Sequence, residues 1–416
     1  MDAHDGLVPD VSVCRISQRY LLVIPIPVFV AADGGFWVDA GWWKDLLLHL
    51  HHCEELVLMS PGEALREADV KAKRVRILPV RSGFEVVLLP SQATRMRAFI
   101  TFPRTLALIC REVRKAGIVH SSVIGWPYPI GWPANLFAMF FRRKLLVNIE
   151  SAPWRATGSG RSLLDRLVSR LYETMARFSA TKADLLTATQ PEYISGLRGS
   201  RSRGAHAVFA ATWIDGDMVV SRQAAEARWA AHVQDMPRLK LLFAGRLLAT
   251  KGSELVIQLA RRMAADGVFA CISVIGEGDF KTRFQEESTK LGPEVLQVLE
   301  PLSYGPDFFR LISEHAAVLV PSLSDEQPRV VFDAFSQAVP VIGSSTPGIV
   351  SCVDHGLNGW LVETGSVAAL FDVVTNLVSQ RGELRTRGLA ALEKAAAYTH
   401  QNMHETRCQV TKKVLG

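Results

Sequence analysis

The sequence predicts an α/β protein with two doubly wound parallel sheets, one in each of two domains. Three observations carry this expectation. Short runs of Val, Ile and Leu alternate with longer amphipathic segments along most of the chain, as in βαβ units with helices on both faces of a sheet. Residues 20–30 (YLLVIPIPVFV) are one apolar run, the composition of a strand buried on both faces. The length, 416 residues, suits two or three domains. With 48% hydrophobic and 21% charged residues, 30 Gly and 20 Pro, the chain is globular, which excludes a disordered, collagen-like or fibrous protein.

The elements follow in order. After the strand at 20–30 comes a loop, Ala31-Ala32-Asp33-Gly34-Gly35, then a helix over 39–52 and a strand over 55–59. Further strands are expected at 74–80, 84–89, 118–124 and 144–149. Residues 163–180 read as a helix with Leu164, Leu167, Leu171 and Met175 on one stripe, followed by a strand at 183–188. The polar stretch 214–237 reads as helical and as the connection between domains. Beyond it the alternation is regular, with strands at 239–244, 269–275, 295–299, 317–320, 339–342 and 360–362. Helices are expected between them at 253–266, 279–291, 306–315 and 329–338. Neither a short-period repeat nor a low-complexity tract appears.

In open α/β sheets, ligands bind beyond the carboxyl ends of the strands. Gly245-Arg246 follows the 239–244 strand, and Lys251-Gly252 opens the next helix. Glycine admits backbone close to a ligand, and arginine offers a fork for phosphate oxygens. Lysine adds a point charge, and free helix N–H groups favour an anion. The alternative for this loop is a solvated basic turn. Gly276-Glu277-Gly278 follows the next strand and serves either a flat base or phosphate, or an ordinary turn. After 317–320 comes PSLSDEQPR, with Asp325 in the loop and Asp333 in the following helix. Two carboxylates eight residues apart suit separate contacts on one extended ligand, and carboxylates accept well from sugar hydroxyls. Acids that merely decorate a helix start are the bland alternative. GSSTPG (343–348) again places small residues at a helix start, and His355 to Gly359 make a tight turn.

Taken in order, GRLLATKG (245–252), GEG (276–278), PSLSDEQPRVVFDA (321–334), PVIGSSTPG (340–348) and HGLNGWLV (355–362) resemble the donor-binding half of glycosyltransferase family 4, the group 1 glycosyltransferases. The resemblance covers residues 239–362. It implies a GT-B fold: an acceptor-binding Rossmann-like domain over 1–215, a donor-binding one over 216–394, and a last helix, about 395–416, packing back on the first. It also implies a retaining, metal-independent hexosyltransferase that uses a UDP- or GDP-linked sugar as co-substrate and has no cofactor. The acceptor is a glycan or lipid-linked, in bacterial polysaccharide or glycolipid biosynthesis.

Residue by residue, the resemblance gives Arg246 and Lys251 the donor pyrophosphate and Asp333 the ribose hydroxyls. Asp325 and the backbone of Gln327, Pro328, Arg329 and Val330 take the transferred sugar. Gly245 lies beside the phosphates, and Gly276 and Gly278 lie near the base. Arg246, Lys251 and Asp325 form the catalytic set. The family's Glu-x7-Glu pair is here Asp325 and Asp333, each one methylene shorter. In the first half, Gly34 and Gly35 sit where the family has a glycine loop. His120 and Glu150 are the acceptor-side candidates, with Glu150 where a histidine is expected.

Two other readings use the same motifs: a nucleotide-sugar epimerase of the same fold, and a non-catalytic sugar-nucleotide-binding protein. A nicotinamide enzyme is disfavoured by the lack of G-x-G-x-x-G after a first strand. A nucleic-acid binder is disfavoured by the lack of a dense basic run or aromatic RNA motif.

The net charge of +6 is local. Residues 141–204 hold twelve Lys and Arg against five acids, so this one region exceeds the charge of the whole chain. Arg161, Arg166, Arg170, Arg177 and Lys182 flank the apolar stripe of the 163–180 helix, and Trp126, Trp132, Phe137, Phe140 and Phe141 lie upstream. This pattern suits an anionic membrane surface, the alternative being an amphipathic helix packed on its sheet. The start, MDAHDGLVPDVSV, lacks the pattern of a signal peptide, and no run is long enough to span a bilayer. A cytoplasmic protein, soluble or peripheral on the inner face of the plasma membrane, is expected. Six scattered cysteines are expected to be free thiols. His49, His51, His52 and Cys53 fall on different helix faces, so no metal site is expected.

Overall fold

The computed structural model describes residues 14–71, 75–155, 162–199, 202, 204–235 and 238–416. Residues 1–13, Arg74, Arg161, Arg201, Arg203 and Pro237, which figure in the expectations above, lie outside the described residues.

The first sheet has ten strands: β1 Tyr20–Val23, β2 Val28–Val30, β3 Phe36–Asp39, β4 Leu56–Ala64, β5 Val75–Ile77, β6 Phe84–Leu89, β7 Ile118–Ser122, β8 Lys144–Ile149, β9 Leu185–Ala188 and β10 Ala205–Val208. Their order is β10-β9-β8-β7-β1-β4-β2-β3-β5, and β6 pairs with β4. The central strands are parallel, with Tyr20 opposite both Leu56 and Ile118. β1 and β9 are buried at every residue, as expected of strands covered on both faces.

The 20–30 run is not one strand. Pro25 and Pro27 have no amide N–H for a ladder, and the chain breaks between β1 and β2. β2 then pairs parallel with the far end of β4 (Val28 opposite Gly62) and antiparallel with β3. Gly34 and Gly35 lie in the turn of that hairpin, where Gly34 has φ +85°.

The second sheet is wholly parallel, in the order β13-β12-β11-β14-β15-β16. Its strands are β11 Leu239–Ala244, β12 Ala270–Ile275, β13 Leu296–Leu299, β14 Ala317–Val320, β15 Val341–Ser344 and β16 Gly359–Val362. They lie within a few residues of the expected positions because each is a short apolar run bounded by turn residues.

Two helices pack in ways that the sequence pattern alone does not give. The stretch 214–237 is not simply a polar connection. Its helix, Arg222–Asp235, drives Trp229 into the core of the second domain at 1% exposure, and the indole N–H donates to the Ala338 carbonyl at 2.9 Å. The apolar stripe of the helix Leu163–Lys182 is not packed on the sheet. Leu164, Leu167 and Leu171 are exposed, and the helix buries Ala176, Ser179 and Ala180 instead. Small residues give this close approach, and the leucines lie on another face.

The chain crosses between domains twice. The final helix, His400–Leu415, lies against the helix Ala40–His52 and β9 of the first domain. There the His400 amide donates to the Ile214 carbonyl at 2.8 Å, and Gln18 donates to the Leu415 carbonyl at 3.3 Å.

Candidate active site in the interdomain cleft

The two domains enclose a cleft of about 1390 Å³. On the second-domain wall, β11 ends in Gly245 (φ +141°) and β12 in Gly276 (φ +148°). A Cβ on Gly276 would run into the Gly245 carbonyl, so both turns lie flat against each other. Gly252 (φ +83°) caps the helix Ser253–Ala265, and a side chain there would strike the Pro321 carbonyl. Thus glycine is required by the close approach of the loops that follow β11, β12 and β14.

Arg246 lies exposed on the cleft wall, and no ion pair engages it among the described residues. Lys251 is less free: its Nζ lies 3.0 Å from Glu326 Oε2 and donates to Ser324 Oγ at 3.3 Å. Gln327, Pro328, Arg329 and Val330 also line the cleft. The Gln327 side-chain oxygen accepts from the Ala211 amide, bracing this loop against the chain leaving β10. Arg329 places its guanidinium 4.1 Å from the centroid of the Trp213 ring, and Trp213 in turn stacks on His400 at 5.3 Å.

Asp333 is 4% exposed and accepts from the Tyr304 hydroxyl at 2.9 Å. Burial pushes its carboxyl up to about 7, against the pull of Tyr304, Arg329 and Lys44. Asp325 does not line the cleft. It faces Tyr193 and Arg155 of the first domain, where burial raises its pKa; the Tyr193 hydroxyl is buried without a well-formed hydrogen bond. The neighbouring Glu326 is the loop carboxylate that reaches the cleft wall. Gly278 (φ +149°) packs against the Leu247 backbone, off that wall.

On the first-domain wall stand His120 and Glu150; the turn of Gly34 and Gly35 lies off it. His120 is within β7, not after it, and its Nδ1 pairs with the Tyr20 hydroxyl at 2.8 Å. Burial, with His49 and Arg407, holds its imidazolium pKa well below the ordinary value, so the ring is neutral. Glu150, just beyond β8, accepts from Asn148 at 3.0 Å, and Asn148 accepts from Thr187 at 2.8 Å. Desolvation, then Asp45, raises the Glu150 carboxyl pKa.

The sequence reasoning missed Tyr304, Trp213 and a cluster around Asp45. Tyr304 sits five residues after the end of β13 on a loop with no motif. The Asp45 cluster joins segments about 355 residues apart. Its one sequence signal is a repeated spacing of four, Asp45 to His49 and His400 to His404.

Two Rossmann-like parallel-sheet domains with facing loops define the GT-B class of proteins. Residues 227–392 match the family model of the group 1 glycosyl transferases. Among solved structures, the chain resembles Anabaena HepE in complex with UDP, with a TM-score of 0.64, 13% identity and coverage of 95% of this chain and 99% of that one. It also resembles sucrose-phosphate synthase from Thermosynechococcus elongatus, with a TM-score of 0.67, 14% identity and coverage of 95% and 98%. Among curated proteins, it is 24% identical over 172 residues to the amylovoran biosynthesis glycosyltransferase AmsK of Erwinia amylovora, covering 40% of this chain and 42% of that protein. It is 27% identical over 195 residues to the D-inositol 3-phosphate glycosyltransferase of Kribbella flavida, covering 44% of each. The matched segment thus spans less than half the length of these curated relatives.

Proposed function

We propose that this protein is a retaining, metal-independent glycosyltransferase that moves a sugar from a UDP- or GDP-linked donor to a glycan or lipid-linked acceptor in polysaccharide biosynthesis. The observation that carries this reading is the second-domain wall: Arg246, Lys251 and Arg329 line the same cleft as buried Asp333. Cations set in a cleft suit a diphosphate leaving group and stabilise the charge that develops on it. Asp333 accepts from the ribose hydroxyls, and the backbone of 327–330 meets the sugar. The leaving phosphate takes the acceptor proton as the new bond forms on the same face. Glu326 joins Asp325 as a candidate for sugar contact because it is the one on the wall. The acceptor enters beside Glu150. In this reading residues 1–215 bind acceptor and 216–394 bind donor. The names of similar proteins support the setting: AmsK acts in amylovoran biosynthesis, and WcaL of Salmonella typhimurium carries a putative role in colanic acid biosynthesis.

A panel of UDP- and GDP-sugars, assayed for nucleotide release with and without membrane lipid extract, tests the proposal. Release that needs extract supports transfer. Conversion of the donor sugar without release indicates an epimerase, and binding with neither indicates a scaffold.

We also place the first domain on an anionic membrane, at the inner face of the plasma membrane. No helix among the described residues is long and apolar enough to cross a bilayer. Yet Leu164 (69% exposed), Leu167 (60%), Phe140 (78%), Met96 (74%) and Ile100 (72%) face solvent. Hydrogen bonds tie the segments that carry them: Tyr128 donates to the Ala98 carbonyl, and Tyr172 donates to the Gly125 carbonyl. Arg95, Arg97, Arg142, Arg166, Arg170 and Lys182 are exposed on the same elements. Apolar side chains among cations match a bilayer of acidic lipids rather than a neutral surface. Co-sedimentation with anionic and neutral vesicles tests this; equal binding to both, or none at low salt, would overturn it.

A further inference from the structure

The helix Ala40–His52 and the final helix, His400–Leu415, face each other, each with a pair of metal-ligating residue types four positions apart. Three imidazoles converge on one carboxylate. His404 Nε2 and His400 Nε2 lie 2.8 and 3.2 Å from Asp45 Oδ1, and His49 Nδ1 lies 3.2 Å from Asp45 Oδ2. We propose that Asp45, His49 and His404 bind one divalent ion of the zinc class on the first-domain wall, apart from the donor chemistry.

One ligand atom from each of these three residues lies within 4.8 Å of the others. All three histidines are buried, at 6%, 1% and 3% exposure for His49, His400 and His404. The proton inventory favours a metal. His49 Nδ1 lies 2.9 Å from the Asp45 carbonyl, which only accepts, so Nδ1 carries the proton and Nε2 the lone pair. That Nε2 is buried without a hydrogen-bond partner. A ring N–H given to a carbonyl while the other nitrogen keeps its lone pair is the usual setting of a metal-bound histidine. His400 completes an outer layer by holding Asp45, itself fixed by the Trp213 stack.

His404 Nε2 has two incompatible neighbours. It must donate to satisfy Asp45 at 2.8 Å, and it must accept to satisfy Arg407 Nη2 at 3.0 Å. One nitrogen does only one of these. A cation between His404 and Asp45 satisfies both as donors of electron pairs and displaces the Arg407 guanidinium. Arg407 and Met403 line the cleft beside Asp45 and His49, which gives the ion an entry path and the guanidinium a place to go. Imidazole with carboxylate is a donor set for zinc-class ions rather than magnesium or calcium. Three protein ligands leave one coordination position for water. This site is independent of the sugar-transfer reading, since its test reads metal alone.

The full-length protein, stripped by chelation and dialysed, is titrated with Co2+ followed by visible absorption, and retained Zn2+ is counted by plasma mass spectrometry. One equivalent of each is expected, with the strong ligand-field bands of low-coordinate cobalt and a higher melting temperature. Asp45→Asn and His404→Gln should lose the bands. Arg407→Gln should bind at least about tenfold more tightly, because a like charge beside the ion is gone. This gain cannot arise from misfolding. Stoichiometry well below one, unchanged binding in Asp45→Asn, or no gain in Arg407→Gln overturns the proposal.

Discussion

The two domains solve the same problem in different materials. The donor wall of the second domain is made by backbone: paired turns at Gly245 and Gly276, the cap at Gly252, and the loop 325–330 braced by Gln327. The opposite wall is made by side chains brought from distant segments, such as Asp45 with His400 and His404, and Trp213 with His400. A backbone-built wall leaves a local trace in sequence. A wall built from side chains exists only once the chain has folded.

Four variants sharpen this contrast, beginning with the largest effect. Trp229→Ala should cost about 3–5 kcal/mol, because it empties a fully buried site and removes one of the two donors to the Ala338 carbonyl, leaving only Arg228. Chemical denaturation should show this loss. A loss below about 1 kcal/mol would return the Arg222–Asp235 helix to the role of a connector. Arg246→Ala should lower the rate of nucleotide release by about 10²–10³-fold while leaving the melt unchanged, since the side chain is exposed and no ion pair engages it among the described residues. A tenfold effect or less would move the leaving-group charge elsewhere.

Asp333→Asn separates binding from folding. The Asp333 carboxyl is raised from 3.8 to about 7 in the fold, so the folded chain holds a proton that the unfolded chain has released between those values. Stability from this group therefore falls as pH rises from about 4 to 7, by an amount on the order of 4 kcal/mol. The asparagine protein should melt higher than the parent at pH 8 and equally near pH 4, yet bind nucleotide more weakly at both. Equal melts at pH 8 would show that Asp333 is not strained by burial. Last, Arg166→Glu with Arg170→Glu should weaken binding to anionic vesicles by roughly tenfold or more, at about 1 kcal/mol for each basic residue removed. No change would leave the exposed leucines without their cationic partners.

How far the sequence reached follows the same division. β11 to β16 lay close to their expected bounds because each is a short apolar run between turn residues. Residues 20–30 were expected to be continuous on hydrophobicity alone, while two prolines with no ladder N–H divide them. The Leu163–Lys182 helix was found, but period alone does not say which face meets the sheet. Alanines at 176 and 180 do, by allowing close contact. Asp325 fits the spacing of the Glu-x7-Glu pair, yet it faces Tyr193, and its neighbour Glu326 is the carboxylate in the cleft. Tyr304 bears no motif and is found only through its bond to Asp333.

The paired crossings have a mechanical consequence. The outward chain near Ile214 and the returning chain at His400 run side by side, joined by a backbone hydrogen bond. One tether lets two bodies swivel about every axis. Two tethers fastened together act as a flat strip, compliant to bending and stiff to twisting. A strip of this form resists twisting more than bending, so it favours an approach of the Arg246 wall to the Glu150 wall over a sliding of one past the other.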